Sequence, residues 1–147
     1  MYILFGKAQS MNSGLKKITV GLAALAAMAV SANAALIKDD AEVFARLLTT
    51  AVANEIRDNC DTIEARKIKA TLYVLGIVSY AKKQGFSMAE IEAYKDNPDE
   101  QARLRREGYA YLDGHGVDRE AGTGYCELGV AEMAAKSPIG KILKPAN

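Results

Sequence analysis

The chain has 147 residues, half of them hydrophobic, with 19 basic against 18 acidic groups and a single histidine. One domain of this size buries on the order of 60–70% of its unfolded surface, so it can carry its own core with little to spare. The charge balance excludes the dense basic surface that a nucleic-acid partner requires, the more so once residues 1–34 are set aside and 16 basic face 18 acidic groups.

Those first residues form an export signal. Lys16 and Lys17 precede an apolar run from Ile18 to Val30, and Ser31-Ala32-Asn33-Ala34 supplies the small residues that a signal peptidase accepts. The run of 13 apolar residues is too short to cross a membrane, which takes about 20. Met11 opens a more compact signal than Met1, because Met1 to Ser10 adds Tyr2, Ile3, Leu4 and Phe5 ahead of the basic pair. Cleavage after Ala34 then leaves residues 35–147 as a single domain, periplasmic or secreted, with no membrane span.

Asp39 or Asp40 can cap a first helix, whose apolar stripe is Val43, Phe44, Leu47, Leu48, Ala51, Val52 and Ile56. It should end near Asn59, with Cys60 at the corner. A second helix follows, capped by Asp61 or Thr62 and running from Ile63 to Gly85. Between Ile68 and Ala81 it offers one charged side chain, Lys69, and a helix apolar around nearly its whole circumference has to be surrounded. Leu72 and Leu75 are therefore expected in the core. Gly85 reads as a left-handed C′ residue, with Phe86 folding back onto the helix.

Ser87-Met88-Ala89-Glu90 is a capping box, and Asn97-Pro98-Asp99-Glu100 places Pro at a first helical position, so two separate helices start here. The second of them has weak apolar spacing and reads as peripheral, stopping at Gly114. Gly114 to Gly124 contains four glycines and no apolar run, which is loop composition. Beyond it, Cys126, Val130 and Met133 share a helical face, and Gly129 permits close approach of a neighbour. Ser137-Pro138 starts a last short helix carrying Ile139, Ile142 and Leu143, which should dock on the protein's own core beside the Cys126 helix. No segment reads as a strand.

The combination of Asn59-Cys60, the run Gly85-Phe86-Ser87-Met88-Ala89-Glu90-Ile91-Glu92-Ala93-Tyr94, Tyr111-Leu112, Gly116-Val117, Tyr125-Cys126-Glu127-Leu128-Gly129 and Ser137-Pro138-Ile139-Gly140-Lys141-Ile142-Leu143 resembles a family of small exported alphaproteobacterial helical domains of unknown function. The likeness covers nearly the whole of residues 35–147. It implies export and helicity, and carries over no catalytic or binding residue.

Cys60 and Cys126, an even pair after export, read first as a disulfide, and second as a reactive thiol that has no neighbouring histidine to activate it. His115 with Asp113, Asp118 and Glu120 could ligate a metal if geometry converged, but the spacing matches neither a calcium loop nor a zinc helix motif. Arg103, Arg105 and Arg106 among Tyr109 and Tyr111 point in different directions on a helix and read as a solvated face, with Glu100 and Glu107 as partners. There is no nucleophile elbow, phosphate loop or dinucleotide fingerprint. The reading is an all-α bundle of five or six helices around one central apolar helix, closed by one disulfide. No catalytic, cofactor or metal residue is assigned. The leading function is a non-enzymatic envelope protein that binds another protein, with a stress-related holdase as one version. The alternative is a small hydrolase or metal-dependent enzyme centred on the His115 loop.

Overall fold

A computed structural model describes residues 36–146, so the signal-peptide reading of residues 1–34 lies outside the described residues. After a single 3-10 turn, Ile37–Asp39, come α1 (Ala41–Asp58), β1 (Ile63–Ala65), α2 (Lys67–Lys83), α3 (Met88–Asp96), α4 (Pro98–Gly114), α5 (Tyr125–Ala135), α6 (Pro138–Lys141) and β2 (Leu143–Pro145). The architecture is a small six-helix bundle with one two-stranded sheet.

Local hydrogen bonding accounts for most helix starts. The Asp40 carboxylate accepts from the backbone of Glu42 and Val43, Asn97 from Asp99 and Glu100, and Ser137 from Gly140, while Ser87 and Glu90 complete the reciprocal capping box. At the end of α2, Gly85 takes φ 97°, and the backbone N–H groups of Gly85 and Phe86 donate to the carbonyls of Lys82 and Ala81. That closes the helix as the sequence implies and buries the Phe86 ring.

Two expectations fail at the junction after Cys60. Ile63–Ala65 is a strand, antiparallel to β2 with Ile63 opposite Pro145, Glu64 opposite Lys144 and Ala65 opposite Leu143. The segment read as the start of a long helix is therefore extended, and the last helix stops at Lys141 so that Leu143 can pair. Each strand is only three residues long, too short for its apolar–charged–apolar alternation to mark it, so only the tertiary partner makes it a strand. Arg66 secures the corner, donating from its backbone N–H to the Ile142 carbonyl at 2.8 Å and from its Nε to the Leu143 carbonyl at 2.7 Å.

The helix at the centre is α1, not α2. It packs against α2, α4, α5, α6 and β1, and contributes the fully buried Val52 and Ile56 to a core completed by Leu112, Leu128, Ile139, Ile142 and Leu143. A second, smaller cluster joins Val43, Ile77, Ala81 and Phe86. The fourth helix is not peripheral: Leu112 has no exposure, and Gly108 is buried beside Leu48 of α1.

The closing segment docks on the protein's own core, as its apolar stripe implies. The approach is so close that a Cβ on Gly140 would overlap the Glu132 carbonyl and come within 2.6 Å of the Met133 nitrogen. Backbone cannot retreat as a side-chain tip can. Gly140→Ala should therefore destabilise the fold by about 1–3 kcal/mol, read as a lower urea midpoint at unchanged slope.

Candidate functional site

On α2, the face turned inward carries Ile77 and Ala81, buried against Val43 and Phe86, with Ala70 and Tyr73 half-buried beside the main core. The outward face is also apolar. Ile68 is 78% exposed, Leu72 62%, Leu75 58% and Val74 47%, the opposite of the core placement that the all-round apolar pattern implies. Ile68, Leu72 and Leu75 stand at i, i+4 and i+7, so they form one ridge along the helix.

Beside the ridge, two apolar clefts open on the flank of α2 that carries Val74. One, of about 330 Å³, lies towards α1 and the sheet and is lined by Ala53, Ala65, Ala70, Val74, Ile142 and Leu143 among others. The other, of about 190 Å³, lies towards α3 and α4 and is walled by Leu47, Val74, Val78, Ile91, Tyr94 and Leu104. Val74 contributes to both. Lone exposed apolar side chains are ordinary, and Leu36, Met88 and Val130 are such cases on other segments, but a ridge with apolar clefts beside it is a contiguous patch.

The charges that α2 itself carries are all basic. α2 carries Lys67 and Lys69 at its start, Lys82 and Lys83 at its end, and no acidic residue. Glu64, the nearest acid in sequence, is held by Lys144 across the sheet at 2.5 Å, and that hydrogen bond and charge keep its carboxyl below the usual range.

The residues singled out around His115 are placed otherwise. The imidazole stacks on Tyr111 with ring centroids 4.0 Å apart, and its Nδ1 lies 2.7 Å from the Tyr111 carbonyl oxygen. Asp113 accepts from Arg119 at 2.8 Å, which holds its carboxyl low, and the same guanidinium covers the Tyr109 ring. Asp118 accepts from the backbone N–H groups of Glu120 and Ala121 and so shapes its own turn. Among the described residues no three His, Cys, Asp or Glu side chains are placed to share a metal ion.

Two of the three arginines singled out on α4 find the carboxylate partners that the sequence suggested. Arg103 pairs with Glu100 at 3.3 Å, donates to the Lys38 carbonyl and covers the Phe44 ring, while Arg106 lies 3.7 Å from Glu107. Cys60 and Cys126 lie at disulfide distance, with sulfurs 2.03 Å apart, joining the end of α1 to the first turn of α5.

Residues 35–144 match DUF5333, a family of unknown function. The chain belongs to the DUF5333 family. No curated protein and no solved structure matches it. Within this DUF5333 chain, the exposure of the α2 ridge was not legible from periodicity, because a helix apolar all round gives no face to prefer. The lysines at both ends, with no acid between them, are the one sequence signal that sets this helix apart.

A polar contact absent from the sequence reading lies nearby in the core. Glu132 is 7% exposed, and the Tyr111 hydroxyl donates to its Oε1. Burial, and then that carboxylate, push the Tyr111 phenol up to about 12. A phenol with a raised folded-state value stabilises the fold below the free phenol's value near 10, and the contribution is lost as pH rises through about 12. An ultraviolet titration of wild type minus Tyr111→Phe should show one late tyrosinate phase. The substitution should also cost about 1–3 kcal/mol by leaving Glu132 buried without this donor.

Proposed function

We propose that this protein acts in the cell envelope by binding another protein, without catalysing a reaction, and that the partner seats on the outward face of α2. The observation that carries this reading is the solvent-exposed ridge of Ile68, Leu72 and Leu75 beside two apolar clefts. A fold of this size gains nothing from leaving three large aliphatic side chains in water, whereas an interface core is built from such side chains. Placement in the envelope is supported by the signal-like residues 1–34 and by a cysteine pair at disulfide distance, which persists in oxidising compartments. Capture of unfolding clients under stress is one version, since an open apolar ridge also grips exposed apolar segments.

The test places a photo-crosslinking residue at position 72 or, as a control, at Arg105 on α4, in cells making the full chain. Discrete adducts from position 72, absent from position 105 and lost when Ile68→Asp is added, are the expected result. Ile68→Asp should leave thermal unfolding nearly unchanged, because the side chain is mostly in water. Adducts equal in pattern from both positions, or unaffected by Ile68→Asp, would refute the reading.

A further inference from the structure

Resting on the reading of α2 as the binding face, we infer the chemistry of its occupant: an amphipathic helix with an apolar stripe and acidic residues at both ends. The inference starts from the four lysines of α2, two at each end, with no acid on the helix. Among the described residues none of the four lies in an ion pair, although seven such pairs occur elsewhere. Lys67 and Lys69 also stand at the positive end of the helix dipole, where cations are locally unfavourable. An acidic partner would relieve that repulsion.

The same charges exclude a second copy. Two α2 helices packed face to face bring lysines against lysines whether they run parallel or antiparallel. The pairs at the two ends lie about 20 Å apart along the axis, so a partner helix of roughly four turns places acids against both. Its apolar side chains would pack along the Ile68-Leu72-Leu75 ridge and into the clefts on its Val74 flank, as ridges pack into grooves. A flat lipid surface would cover the ridge but leave both clefts unfilled.

The experiment uses the full-length protein and labelled helical peptides of about 18 residues, with leucines at i, i+3, i+4 and i+7 and either glutamates or lysines at both ends. Anisotropy titrations should give at least about tenfold tighter binding of the glutamate-ended peptide at low salt, the preference shrinking as salt screens it. Leu72→Asp should weaken both peptides, and Lys69→Glu with Lys82→Glu, which leaves each end of α2 neutral, should abolish the preference. Equal binding of the two peptides would overturn the acidic occupant while leaving the α2 face standing. Binding of neither peptide, with crosslinks from position 72 intact, would show an occupant of another class. Co-sedimentation with phosphatidylglycerol vesicles that depends on Leu72, without peptide binding, would make the face a lipid-surface contact and overturn the proposal. Loss of the position-72 crosslinks themselves would count against the binding face.

Discussion

Ile56→Ala or Leu112→Ala should remove about 2–5 kcal/mol of folding stability, whereas Leu72→Ala and Leu75→Ala should stay within about 0.5 kcal/mol of wild type. The chemistry removed is nearly the same in all four. What differs is the surroundings: Ile56 and Leu112 have no solvent exposure and sit where α1 meets α4 and the closing segment, while Leu72 and Leu75 are more than half exposed. Emptying a closed site loses transfer energy and leaves a cavity, but trimming an exposed side chain does neither. Urea unfolding of the four variants at unchanged slope decides the matter. Comparable losses at all four positions would mean that the outer face of α2 is covered in solution.

Removing the link between Cys60 and Cys126 is expected to cost about 4 kcal/mol, the loop-closure entropy that the bond takes from the unfolded chain. The cysteines are 66 residues apart in sequence and hold the end of α1 against α5, with all of α2, α3 and α4 contained in the loop. On a domain of this size the double Cys60→Ser, Cys126→Ser variant should melt roughly 15–25 °C lower. Thr62 Oγ1, 3.2 Å from the Cys60 sulfur and 3.7 Å from the Cys126 sulfur, offers both serines the same polar neighbour, so the loss reads chiefly the missing link. An unchanged melting temperature in the double variant, or alkylation of both thiols without reductant in freshly isolated protein, would contradict this.

These two expectations relate differently to the amino-acid sequence. The cysteine pair could be read from an even count and a signal-like N-terminus, because pairing in an oxidising compartment needs no knowledge of the fold. The exposure of Leu72 could not. Its apolar neighbours on every side of α2 suggest a buried helix, and the two outward positions differ from Ile77 only in what the rest of the chain puts beside them. Of the candidate site, the lysines flanking the helix were visible, but the ridge and its clefts were not.

What the sequence by itself determined is where four of the helices begin and where α2 ends. Asp40, Ser87, Asn97 and Ser137 satisfy N–H groups two or three residues away, and Gly85 adopts a left-handed turn its neighbours cannot easily take. Such choices are made between atoms a few residues apart, so they survive without any tertiary context. Tertiary structure alone decided that Ile63–Ala65 is a strand, that α1 is the central helix and that α2 turns an apolar face to solvent. The strand exists because Leu143–Pro145 arrives to pair with it, and α1 is buried because four helices and β1 converge on it. Burial is a property of the neighbours that long-range packing brings together, and hydrophobicity alone does not say which of two apolar helices they will cover.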